Sequence, residues 1–213
     1  MKYTKMLISK SEYLRSPCQV SSIPYWKTKK ISIPDNMRIV HDSNFNEMEY
    51  QNYIDEPYFR LMHNLQDLCI ETLPYGYSLC EATLKDFANH INSCYDRIYV
   101  TERELQSYTT RSVYSADLWI AIKYDKTNEV VATGIAELDK EIGEGCLEWI
   151  EVSERHRSRG IGKYIVSALL QRMKVNAKFA TVSGQCNNDT HPEILYRKCG
   201  FIGADVWHIL KKI

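Results

Sequence analysis

In the stretch LKDFANHINSCY, apolar residues fall at 84, 87, 88, 91 and 95. Spacings of three and four mark one face of a helix. Thr101 followed by Glu104 predicts a capped start for a second helix, ERELQSYTTR (102–111). The period then changes. DLWIAIKY (117–124), EVVATGIAEL (129–138) and CLEWIEV (146–152) predict three strands, joined by the turns KTNE and KEIGEG. From Gly160 to about Lys174 the helical stripe returns, with apolar residues at 161, 164, 165, 168, 169, 170 and 173. FATVSG (179–184) predicts a short buried strand. PEILYRKC (192–199) predicts a helix opened by Pro192 and closed by Gly200 at C′, and DVWHIL (205–210) predicts a last strand. With YGYSLCEAT (75–83) as the first strand, the order is β-α-α-β-β-β-α-β-α-β. An antiparallel meander feeding a strand–helix–strand unit predicts a mixed α/β sheet, not a doubly wound parallel one.

Residues 1–73 have a different texture. They hold four of the six prolines and no glycine. MRIVH (37–41) and PYFRLMHNL (57–65) predict two strands around a polar stretch. The expected division is therefore an N-terminal extension or subdomain, 1–73, and a regular domain, 74–213.

Composition narrows the classes. The chain has 213 residues and an ordinary hydrophobic fraction of 44%, enough for a sizeable core. No apolar run reaches the roughly 18 residues of a membrane span, and the N-terminus lacks the apolar core of a signal peptide. Formal net charge is zero, so no global field draws in nucleic acid. The seven cysteines are odd in number and form no Cys-x-x-Cys pair. This argues against a disulfide framework or a metal site and for reduced thiols in a cytoplasmic protein.

One stretch departs from this evenness. RHRSRGIGKYI (155–165) crowds basic residues around Gly160 and Gly162, between a strand and a helix. A helix N-terminus offers unpaired N–H groups and partial positive charge, and glycine lets a ligand approach the backbone. The stretch is therefore either a phosphate cradle or a solvated basic turn. It is not a Walker loop, which needs Gly-x-x-x-x-Gly-Lys-Ser/Thr. It is not a dinucleotide fingerprint either. Ile165 stands where the third glycine belongs, and FATVSG ends without an acidic residue.

What fits is Arg157-x-x-Gly160-x-Gly162, followed one helix and one strand later by NNDTHPEILYRKCGF (187–201). In these two segments the chain resembles the GNAT superfamily, the Gcn5-related N-acetyltransferases, over roughly residues 74–213. The resemblance implies a GNAT-like central twisted mixed sheet and acetyl-CoA as cosubstrate, with no metal. It implies direct transfer of the acetyl group to a primary amine of a small molecule or peptide. The turn Arg157, Ser158, Arg159, Gly160, Ile161, Gly162 and Lys163 would cradle the pyrophosphate. The main chain of Ile150 and Val152 would meet the pantetheine arm. Tyr196 matches the tyrosine that protonates the departing thiolate, and Asn188, with Asn187 nearly as good, a polar contact nearby. The pocket for the acceptor would be built by about residues 84–116.

The base is expected on CLEWIEV. Strict alternation puts Glu148 with Ile150 and Val152, and Glu151 with Leu147 and Trp149. Glu148 is favoured and Glu151 is the alternative; a bulge would upset the parity. His156 is expected to be a surface loop residue and His191 a helix-entry residue. Cys186 and Cys199 are expected to be inert, small, partly buried side chains. The rival to an enzyme is a non-catalytic acyl-CoA-binding or sensing module. Nucleic-acid and membrane partners are not expected, and the oligomeric state is open, a homodimer included.

Overall fold

The computed structural model describes residues 3–5, 8–96 and 98–213. In chain order the strands and helices are β1 (Tyr3–Lys5), α1 (Lys10–Arg15), α2 (Pro17–Val20), α3 (Tyr25–Thr28), β2 (Ser32–Pro34), β3 (Met37–His41), β4 (Tyr53–His63), β5 (Tyr77–Cys80), α4 (Leu84–Ser93), α5 (Glu102–Thr109), β6 (Trp119–Tyr124), β7 (Glu129–Asp139), β8 (Glu144–Val152), α6 (Ile161–Met173), β9 (Phe179–Gln185), α7 (Pro192–Lys198) and β10 (Ile202–Lys212). From β5 onward this is the order expected from the hydrophobic pattern. The mixed α/β class is the one expected. Thr101 and Glu104 form the expected capping box, and Thr83 with Asp86 forms a second one at α4. β4 begins four residues before its expected start, because its polar first residues pair with the end of β10. β5 is shorter than expected. Gly76 turns the chain with φ 85° and Thr83 is already committed to capping α4.

Contacts divide the chain into two units. One holds Asn64–Ala180 and Lys198–Gly200. In it β5, β6, β7 and β8 lie side by side. The β5–β8 pairs are antiparallel. α6 follows β8 in the same unit. One face of these strands packs on α4 and α5 through Phe87, Ile91, Leu105, Ala121 and Ile135. The other meets α6 so closely that a Cβ at Gly134 would collide with Ile165. Ile165 and Leu169 are fully buried there.

The other unit holds the described residues up to His63 together with Thr181–Arg197 and Phe201–Ile213. Its strands run β9, β4, β10, β3, with β10 antiparallel to both β3 and β4. Buried Arg60 on β4 donates to Tyr13 Oη at 2.9 Å and Ser183 Oγ at 3.0 Å. This ties α1, β4 and β9 together. No helix among the described residues is long and apolar enough to cross a membrane.

Candidate active site

The local sequence builds an unusual helix start at α6. After β8 a 3-10 turn, Glu154–His156, leads into left-handed backbone at Ser158 (φ 60°) and Gly160 (φ 88°). Gly160 is the N-cap, so no side chain caps the helix, and its first turn carries no acidic residue. The first N–H groups of a helix lack intrahelical partners and carry partial positive charge. Tyr164 N–H bonds the Gly160 carbonyl at 3.0 Å. The N–H groups of Ile161, Gly162 and Lys163 precede that bond. Ser158, Arg159 and Gly160 are exposed.

The basic side chains of the turn are largely engaged within it. Arg157 Nε donates to the Val152 carbonyl at 3.1 Å, and Arg159 Nη2 to the Arg155 carbonyl at 3.2 Å. Lys163 Nζ pairs with Glu71 at 2.6 Å, which raises its pKa. His156 lies in the connection between β8 and α6, half-buried, and is held there. Its Nδ1 lies 2.9 Å from the Tyr77 hydroxyl, and its ring packs on Tyr77 and Tyr124. Burial, with the charges of Arg159 and Arg155, pushes its pKa down.

Strand β8 does not alternate regularly. Ile135 pairs with Trp149, but the next pair is Ala136 with Leu147, so Glu148 is an extra residue in a β-bulge. Directly opposed residues share a face. Trp119, Ile135 and Trp149 form one row, and Ala121, Thr133 and Glu151 the next. Both rows face α4 and α5. Gly134 and Ile150 face α6. Strict alternation would keep Leu147 with Trp149 and Glu151. The bulge instead places it opposite Ala136, on the α6 face. At the bulge, Cys146 Sγ donates to Glu148 Oε1 at 3.4 Å.

Glu151 is half-buried, and the Tyr95 hydroxyl donates to its Oε1. Burial pushes its carboxyl up to about 7, against the downward pull of the Tyr95 hydrogen bond and the Arg157 charge. The Tyr95 ring meets Trp149 edge-on at 5.9 Å. Beside it, burial and the Glu151 charge push the Cys94 thiol up. Buried His90 has Nδ1 2.9 Å from Thr133 Oγ1 and Nε2 3.1 Å from Ser153 Oγ. Burial lowers its pKa to about 4, so it is neutral at physiological pH. A groove of ≈ 780 Å³ opens past His90 and Ser153.

In the other unit, Tyr196 on α7 is 7% exposed, with its ring against Phe59 at 6.2 Å and Phe201 at 5.8 Å. Asn188 builds the turn into that helix. Its Oδ1 accepts from Thr190 N–H at 2.9 Å and Thr190 Oγ1 at 2.7 Å. Its carbonyl accepts from His191 N–H at 2.9 Å. Burial raises the thiol pKa of Cys186, and that of Cys199 to about 12. Both are thiols at neutral pH, unsuited to nucleophilic attack.

Residues 115–202, from the approach to β6 through α7, match the acetyltransferase (GNAT) domain family. This stretch is a GNAT domain. A GCN5-related N-acetyltransferase from Sphaerobacter thermophilus aligns with a TM-score of 0.68 at 17% identity, covering 83% of this chain and 58% of that one. A GCN5-related N-acetyltransferase from Kribbella flavida aligns with a TM-score of 0.52 at 16% identity, covering 83% and 67%. A tandem GNAT protein from the clavulanic acid biosynthesis pathway aligns with a TM-score of 0.55 at 14% identity, covering 73% and 53%. The chain thus spans little more than half the length of the first and third, and the likeness is one of fold. No curated protein matches.

Within the GNAT domain, Ile150, Glu151, Val152 and the 157–163 turn fall in one unit, while Asn188 and Tyr196 fall in the other. Sequence reasoning passed over Tyr95, His90, Thr133 and Ser153. Tyr95 did carry a signal, as the last position of the helical stripe, but that stripe counts it as apolar surface and says nothing of its hydroxyl.

Proposed function

We propose that the protein is an N-acetyltransferase that uses acetyl-CoA and delivers the acetyl group directly to a primary amine of a small molecule or peptide. The observation that carries this reading is Glu151, a carboxyl held near 7 in the same unit as an uncapped, glycine-opened helix start. A base works best when its pKa lies near the operating pH. Glu151 is preferred to Glu148 because burial raises the pKa of its carboxyl and the Tyr95 hydroxyl holds it, whereas Glu148 is the extra residue of the bulge.

The backbone N–H groups of Ile161, Gly162 and Lys163 would hold the diphosphate of the donor, with Arg157, Ser158, Arg159 and Gly160 shaping the approach. An exposed turn, a cap without a side chain and a first turn without carboxylates suit an anion. The main chain of Ile150 and Val152 would line the path of the pantetheine arm, and Asn188 would shape the turn ahead of Tyr196. Bound acetyl-CoA supplies the acetyl group as a thioester. Glu151 takes a proton from the acceptor ammonium, directly or through water. The freed amine would attack the thioester carbonyl, forming the C–N bond as the C–S bond breaks. The Tyr196 hydroxyl would give its proton to the departing sulfur and regain one, through water, from the nitrogen as it becomes an amide.

The test is thiol release on mixing the protein with acetyl-CoA and a panel of amines. Amine-dependent release that falls to background in Glu151→Gln is expected. Failure to bind acetyl-CoA in a calorimetric titration would overturn the reading. Binding without release across the panel would leave a non-catalytic acyl-CoA sensor.

A further inference from the structure

Tyr95 sits directly after Cys94, the C-cap of α4, and is held at two points by alternate residues of β8. Its ring meets Trp149, and its hydroxyl donates to Glu151 Oε1. Trp149 and Glu151 lie on the same face of the strand, beyond the bulge, so one tyrosine spans both. It makes the one hydrogen bond to the Glu151 carboxylate among the described residues. A hydrogen bond to one carboxylate oxygen restricts the group's orientation, and the other oxygen is left to accept a proton.

We propose that Tyr95 is a positioning residue for the base, holding Glu151 Oε1 so that the second oxygen faces the acceptor amine. The inference rests on the reading of Glu151 as that base. The groups around Glu151 support it. From α4 come His90, neutral above about pH 4, and Cys94, whose thiol is raised. From the turn comes Arg157, whose charge favours the carboxylate, and on β8 itself stands Glu148 at the bulge. Of these neighbours, Tyr95 alone donates a hydrogen bond to the carboxylate.

Tyr95→Phe removes the hydroxyl and keeps the ring on Trp149. Glu151 is followed by carbon-13 NMR of its side-chain carboxyl, and kcat/KM is measured across pH with acetyl-CoA and an accepted amine. The midpoint of Glu151 and the acid limb of kcat/KM should both move up by about one pH unit. That is a roughly tenfold loss on the acid limb, with a lowered plateau at higher pH because the ionised carboxylate is no longer held toward the amine. An unmoved midpoint overturns the inference. A midpoint that moves while the limb stays supports the Tyr95–Glu151 coupling and removes Glu151 as the base. The wild-type protein gives a second test that needs no variant. The Cζ signal of Tyr95 should show an inflection at the Glu151 midpoint, and its absence overturns the inference as well.

Discussion

A carboxyl raised from 4.5 to about 7 by burial binds its proton more tightly in the folded chain than in the unfolded one. Between those values the folded state holds more protons, so Glu151 makes stability fall as pH rises. Keeping it ionised costs roughly 3 kcal/mol above pH 7. His90 has the opposite sign. Its pKa is lowered from 6.5 to about 4, so its contribution is present above 6.5 and is lost as pH falls toward 4. The two nearly offset each other between pH 4.5 and 6.5. Glu151→Gln keeps the shape and the acceptor for Tyr95 but removes one side of the balance. Thermal melts should show the variant more stable than wild type at pH 8, with a new loss of stability below pH 6.5. Turnover at neutral pH should drop by about 10²-fold or more, partly returning at high pH where the amine is already neutral. Glu148→Gln should have the smaller effect; the reverse order would move the base to the bulge residue. Tyr196→Phe should also lower turnover by about 10²-fold with little change in acetyl-CoA affinity. Wild-type turnover there would make Tyr196 structural. The choice between Glu148 and Glu151 was beyond the sequence because it turns on one inserted residue, and a bulge leaves no mark on the hydrophobic pattern of its own strand.

Among the elements, those whose signals are local were the legible ones. The Thr101 capping box, Pro192 at the start of α7 and Gly200 with its φ of 92° after it all act within a few residues of themselves. The short helices α1 to α3 escaped because four to six residues hold too little of a helical period to show one. At α6 the sequence located the glycine turn, and the backbone shows that its two glycines serve differently. Gly160 has left-handed backbone, where an L side chain costs roughly 1–2 kcal/mol, whereas Gly162 lies in the helix itself. Gly160→Ala should therefore lower the melting temperature as well as weaken acetyl-CoA binding. Gly162→Val should abolish binding while lowering stability much less. Calorimetric titration beside a thermal melt separates the two. Unchanged affinity in Gly162→Val would remove the α6 turn as the donor site.

At the scale of the chain, residues 53–63 are the part of the fold that no motif announced. They form β4, which lies between β9 and β10, and its neighbours are built around it. Phe59 and Leu61 are buried, and a Cβ at Gly184 on β9 would collide with the Phe59 ring. β10 has antiparallel partners on both sides, β3 and β4, and both come from residues before 64. A long pairing across more than a hundred residues of intervening chain leaves no local trace, since each strand alone reads as a modest apolar run. The GNAT-like portion read from sequence, 74–213, keeps both motifs but loses β3 and β4. It would expose both edges of β10, with Trp207 and Leu210 no longer covered, and would strip Phe59 from the ring of Tyr196. Uncovered edges of this kind template aggregation. A fragment of residues 74–213 should accordingly be insoluble, or lack a cooperative melt by circular dichroism, whereas the intact chain melts cooperatively. Adding residues 1–73 as a separate chain should restore solubility if pairing along β4 is the cause. A soluble, cooperatively folding fragment that still released thiol from acetyl-CoA would show that β10 and Tyr196 stand without the N-terminal strands.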